Sequence, residues 1–118
     1  MRVIIAGSRD IDDYEEVERA VKDSGFTVTQ IISGTATGVD IQGIIYAERN
    51  KIPIALYPAD WNKFGKGAGF IRNKQMAENA DALIAVWNGR SRGTQHMIGE
   101  AKAKNLKVHI HLVPNLKK

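Results

Sequence analysis

Short hydrophobic runs alternate along this chain with longer amphipathic stretches, and each run stops at or beside a glycine or proline. Residues 2–6 (RVIIA) read as a buried strand that Gly7 ends abruptly. Residues 12–25 (DDYEEVERAVKDSG) set Tyr14, Val17 and Val21 on one face behind leading acids, which predicts a helix closed near Gly25. A second strand is expected over 28–32. A helix over 39–50 then draws apolar surface from Ile41, Ile44, Ile45 and Ala47, and a third strand over 52–57 stops at Pro58. Residues 59–70 (ADWNKFGKGAGF) break the pattern and read as an irregular insertion rich in Gly, Lys and aromatics. Beyond it come a helix over 71–80, a strand over 81–87 and a helix over 93–105 with Met97, Ile98 and Ala101 inward. A last strand covers 107–113. Five strands interleaved with four helices predict an α/β fold. It is a Rossmann-like three-layer sandwich with a mostly parallel five-stranded sheet and right-handed crossovers.

Composition narrows the picture. A chain of 118 residues that is 43% hydrophobic suits one domain, residues 1–118, with no linker or repeat to divide it. The absence of cysteine excludes disulfides and thiolate chemistry. A start that runs straight into a strand, with no long apolar run, implies a cytoplasmic protein without membrane partners. Residues 1–50 carry five basic and nine acidic side chains, a balance of −4, whereas residues 51–118 carry twelve and four, a balance of +8. That basic half suits a phosphorylated ligand or a nucleic acid, or is a solvated surface.

Three glycine-bearing loops follow hydrophobic runs: GSRD (7–10), SGTATGVD (33–40) and NGRSRGT (88–94). None is a P-loop or a GxGxxG fingerprint, but in an open α/β sheet all three reach the carboxyl ends of the strands, where ligands bind. In the first loop, Gly7 allows close backbone approach, Ser8 offers a hydroxyl and Arg9 a planar donor fork. Asp10 either caps the next helix or meets ligand. In the second loop, Ser33, Gly34, Thr35, Thr37 and Gly38 precede a helix whose N-terminus favours an anion. Asp40 either caps that helix or accepts hydrogen bonds from a ribose or base. In the third, Asn88, Gly89, Arg90, Ser91, Arg92 and Gly93 offer flexible backbone and two guanidinium groups. Thr94 is placed to cap the final helix.

Other candidates lie near these loops. Arg72 and Asn73 open the helix after the insertion. Asp60, Trp61 and Phe64 supply a carboxylate and aromatic surface for a base, although Trp61, Phe64 and Phe70 suit a satellite core or dimer contact equally well. Trp87 lines the pocket or packs in the core. His96, His109 and His111 lack metal-ligand spacing, so no metal is expected. Ser8, Ser33 and Ser91 lack the nucleophile-elbow context of a serine hydrolase.

The ordered set GSRD, SG–A–GVD, PADW (58–61), AGFIRN (68–73) and MAENADALIAVWNGRSRGTQHMI (76–98) resembles the YspA-like branch of the SLOG superfamily. That superfamily also holds the Lonely Guy phosphoribohydrolases and the DNA-processing protein Smf. The resemblance implies a Rossmann-like fold and a nucleotide-related ligand. Arg72 four residues before Met76 is similar to the phosphoribohydrolase motif, and Gly93–Thr94 matches its GT. Met97, however, stands where that motif has glutamate, with Glu100 one helical turn further along as a possible substitute. Position 37, often basic in the branch, is Thr37 here.

These readings favour binding, sensing or sequestration of a nucleotide or ADP-ribose-derived molecule, with no cofactor beyond that ligand. Arg9, Arg72, Arg90 and Arg92 are the expected anion contacts. The alternative is an N-glycoside hydrolase drawing on Arg72, Asp40, Asp60 and Glu100, and nucleic-acid binding stands third. The apolar helical faces and insertion aromatics also suit a homodimer or higher homo-oligomer.

Overall fold

A computed structural model describes residues 1–114. The strands are β1 (Arg2–Gly7), β2 (Gln30–Ser33), β3 (Ile54–Leu56), β4 (Ala82–Trp87) and β5 (Lys107–Leu112). They form one sheet in the order β3-β2-β1-β4-β5, and every neighbouring pair is parallel. The helices are α1 (Tyr14–Ser24), α2 (Val39–Arg49), α3 (Trp61–Phe64), α4 (Ala68–Glu78) and α5 (Arg92–Ala103). The expected Rossmann-like α/β sheet is therefore present.

The alternation of side chains along each strand supplies both layers of core. Val3, Ile5, Ile31, Ile84 and Val86 pack with Val17 and Val21 of α1 and Val39 and Ala47 of α2. On the opposite face Ile4, Ala6, Ile32, Leu83 and Ala85 pack with Met76 and Ala77 of α4 and Met97, Ile98 and Ala101 of α5. Strands covered on both faces need apolar side chains at every position, which is why β1 and β4 read as unbroken hydrophobic runs. The winding direction reverses between β1 and β4, leaving a crevice beyond their carboxyl ends.

Several boundaries differ from expectation for identifiable reasons. Proline has no N–H for the ladder, so β3 begins after Pro53, whose carbonyl still accepts from Ile31 N at 2.9 Å. β2 begins at Gln30 rather than residue 28, because its pairing with β1 starts at Gln30 opposite Arg2. In α2 the core side is made by Val39, Gly43 and Ala47, while Ile41 is exposed. The 59–70 insertion is not irregular. Asp60 caps α3 by accepting from Lys63 N at 3.1 Å, a 3-10 turn over Gly65–Gly67 follows, and α4 starts at the buried Ala68. There are thus five α-helices rather than four among the described residues. Two cap assignments also change. Asp13, not Asp10, caps α1 through Glu15 N. Ser91, not Thr94, caps α5 through Thr94 N at 3.3 Å. Among the described residues no helix is long and apolar enough to cross a membrane.

Candidate functional site

The crevice holds a cavity of about 440 Å³. β1 and its loop supply Ala6, Gly7, Arg9 and Asp10, and Ala36 and Asp40 come from the start of α2 and the loop before it. Trp61, Lys66, Gly69, Phe70, Arg72, Asn73 and Met76 come from the insertion and α4, while Asn88, Ser91, Gly93, Thr94 and Met97 come from the third loop and α5. An adjoining cavity of about 280 Å³ shares Arg9, Ala36, Trp61 and Arg72 with it and reaches Gly34, Thr35 and Thr37.

Arg72 is the best-held cation in this wall. Its Nη1 donates to the Gly34 carbonyl and, at 3.5 Å, to the Tyr57 carbonyl, while Nε donates to Asn73 Oδ1 at 3.0 Å. No acceptor among the described residues takes Nη2, so one edge of the guanidinium is left for a ligand. Burial lowers the Arg72 pKa; nearby Asp40 opposes that shift and Arg9 adds to it. Gly34 leaves the room in which the two charged groups meet. A Cβ on Gly34 would lie 2.6 Å from Arg72 Nη1 and 2.9 Å from Asp40 Oδ2.

Asp40 is 5% exposed and accepts from Ala36 N at 3.1 Å. Burial raises its pKa to about 6, against the opposing hydrogen bond from Ala36, the charge of Arg72, the Gly7 N–H and the charge of Arg9. Gly38 stands at the N-cap of α2 with φ +79, where a Cβ would strike the carbonyls of Ser8 and Arg9 at 2.5 Å. Asp40 is therefore not the helix cap. It is a buried carboxyl facing the cavity.

Other sequence candidates serve the scaffold. Ser8 Oγ accepts from Asn88 N at 3.0 Å, and Ser33 Oγ donates to the Asp40 carbonyl and accepts from Thr35 N. Both serines are fully buried. Asn88 Oδ1 accepts from Arg90 N and Ser91 N at 2.7 and 2.8 Å, and its Nδ2 donates to Asp10, folding the third loop on itself. Gly89, Arg90 and Arg92 are exposed and do not line the cavity. Trp87 packs beside the α4–α5 layer and donates Nε1 to the Ser91 carbonyl at 3.1 Å. Asp60 borders a smaller neighbouring pocket with Phe64 that shares Arg72 with the main cavity, and Glu100 faces His96; neither acid lines the main cavity. Trp61, Phe64 and Phe70 form no satellite core, being 52%, 39% and 52% exposed.

Sequence reasoning did not single out Lys66, Phe70 or the apolar floor of Met76 and Met97 as cavity residues. Their signal was present as the Lys- and Gly-rich insertion and as inward helix positions. Met97 occupies the wall where the phosphoribohydrolase motif would put its glutamate. Among the described residues no cluster of His, Asp and Glu could hold a metal ion.

The family model described as YspA, cpYpsA-related SLOG matches residues 1–64. The chain belongs to this family. The chain is 34% identical over 117 residues to the Gene 61 protein of Mycobacterium phage D29, covering 91% of this chain and 93% of that protein. It superposes on the DNA processing protein A (DprA) of Streptococcus pneumoniae with a TM-score of 0.75 at 18% identity. That match covers 92% of this chain but only 49% of the DprA chain, so it establishes a common fold across about half of the larger protein.

Proposed function

We propose that the cavity binds a nucleotide-like phosphorylated small molecule, such as a nucleotide or an ADP-ribose derivative, as a sensing or sequestering module. The observation that carries this reading is the open Nη2 edge of Arg72, held in place by three protein acceptors beside Arg9 and Lys66. An arginine fixed this way meets a phosphate without first losing side-chain freedom. Trp61 and Phe70 add exposed aromatic faces at the same cavity, where a base can stack. Arg90 and Arg92 drop out of the anion site, and Arg9, Lys66 and Arg72 make it up. Calorimetry with adenosine monophosphate and ADP-ribose tests the reading. Arg72→Met should weaken binding by roughly 10- to 100-fold, the worth of charge-assisted hydrogen bonds. Failure of both ligands to bind the unaltered protein would sink the idea.

A second reading is hydrolysis of an N-glycosidic bond, and Asp40 is the observation that favours it. A carboxyl poised near pH 6 in a ligand cavity can protonate a departing base. It is the only one of the three candidate acids, Asp40, Asp60 and Glu100, that lines this cavity. Release of free base, abolished in Asp40→Asn while binding persists, would support this chemistry over binding alone.

A further inference from the structure

A hydrogen-bonded chain runs from the cavity wall into the α4–α5 interface, and its polarity can be worked out atom by atom. Arg72 Nε can only donate, so the Asn73 atom 3.0 Å from it is the amide oxygen. The Asn73 nitrogen therefore faces both the Gly93 carbonyl at 3.3 Å and His96 Nδ1 at 3.2 Å. An amide nitrogen cannot accept, so His96 Nδ1 must, and it carries no proton. The imidazole proton then belongs on Nε2, which faces Glu100 Oε2 at 3.4 Å. Both hydrogen bonds of the chain point the same way, from Arg72 toward His96, an arrangement in which one bond polarises the next, and the Glu100 carboxylate lies at ion-pair distance beyond the imidazole. The Phe70 ring lies over the imidazole at 4.0 Å with 9° between planes, fixing the ring that receives Asn73.

We propose that His96, in its neutral Nε2–H form, is a positioning residue for Arg72, acting through the Asn73 amide. The proposal rests on the reading of the cavity as an anion site, because it concerns how the Arg72 edge is aimed. His96 itself touches no ligand, since it does not line the cavity. Asn73, 6% exposed and using both amide N–H groups on protein acceptors, is likewise a strut more than a contact.

Nitrogen NMR of the full chain at neutral pH reads the tautomer directly. A pyridine-like Nδ1 and a pyrrole-like Nε2 for His96 are expected, and a protonated Nδ1 would overturn the proposal. The second readout is exchange of the Arg72 Nε–H with water, together with affinity for adenosine monophosphate. His96→Leu removes the acceptor and should speed that exchange and weaken binding about five- to tenfold, the cost of roughly one hydrogen bond. His96→Asn returns an amide oxygen near the Nδ1 position and should restore both. Unchanged Arg72 exchange in His96→Leu, or equal loss in the Leu and Asn variants, would refute positioning. If the unaltered protein does not bind the nucleotide, the anion-site reading falls, while tautomer and exchange still decide the role of His96.

Discussion

The second and third glycine loops look alike in sequence and are used in opposite ways. Both follow a strand, both lead into a helix, and both carry small residues with hydroxyls. In the 33–40 loop, Gly34 lets Arg72 and Asp40 close in on the same point, and a charge from this loop ends up 5% exposed in the cavity wall. In the 88–94 loop, Asn88 takes the backbone N–H groups of Arg90 and Ser91 and pins the turn, leaving Arg90 and Arg92 outside. The same motif type thus builds a charged site in one place and a backbone shelf in the other. What separates them is how the side chain at the bend is spent.

The sharpest way to test that contrast is to remove the buried charge. An aspartate whose folded pKa lies above its unfolded value costs stability wherever it is ionised. For Asp40 the cost is full above about pH 6 and disappears as pH falls below about 4, its unfolded value. Asp40→Asn should accordingly stabilise the protein by up to about 3 kcal/mol at alkaline pH, with the gain vanishing below about pH 4, as read by urea denaturation. The same ionised carboxylate repels phosphate. Affinity of the unaltered protein for ADP-ribose, whose pyrophosphate has no group titrating near pH 6, should therefore rise as pH falls through about 6, and this slope should flatten in Asp40→Asn.

Next in size is the glycine between the charges. Gly34→Ala forces a methyl against Arg72 Nη1 and Asp40 Oδ2 and should cost about 1–3 kcal/mol in thermal unfolding, with ligand affinity falling alongside. The smallest effects belong to the other loop. A Cβ at Gly93 meets nothing within 4 Å, so Gly93→Ala should shift stability by less than about 1 kcal/mol, in the favourable direction for a helix position. Arg90→Ala with Arg92→Ala should leave nucleotide affinity within about twofold, as expected of exposed charges outside the cavity. A large loss in that double variant would erase the distinction between the loops.

This contrast also marks what the sequence could convey. The layered α/β plan and the two-faced burial of β1 and β4 were legible because unbroken apolar runs have few other uses in a chain of this size; the order β3-β2-β1-β4-β5 was not, because an apolar run does not name its neighbour in the sheet. Arg72 could be singled out from its place at the start of the helix after the insertion, and the resemblance of Arg72 and Met76 to the phosphoribohydrolase motif pointed to the same residue. The outward course of Arg90 and Arg92 was not legible, because it depends on an Asn88 side chain folding back on its own loop, which leaves no periodic trace. Lys66 and Phe70 were hidden for a related reason. The glycines between residues 65 and 69 mask the helical phase that turns both into the cavity. Asp10 and Thr94 were each displaced as caps by a residue three positions away, Asp13 and Ser91, a shift within the usual blur of helix ends.

The strand order has a consequence in time. β1 precedes β2 to β5 in the chain, yet its partner on one side is β4, and the Ser8 hydroxyl waits for the amide of Asn88, eighty residues later. Until β4 emerges, half of the β1 backbone has no ladder, and neither Asn88 nor the shelf around Gly93 exists to close the crevice. Nascent chains that stop before β4 would therefore expose a sticky central edge and hold no pocket. The crevice is complete only once β4 and the loop after it have been made.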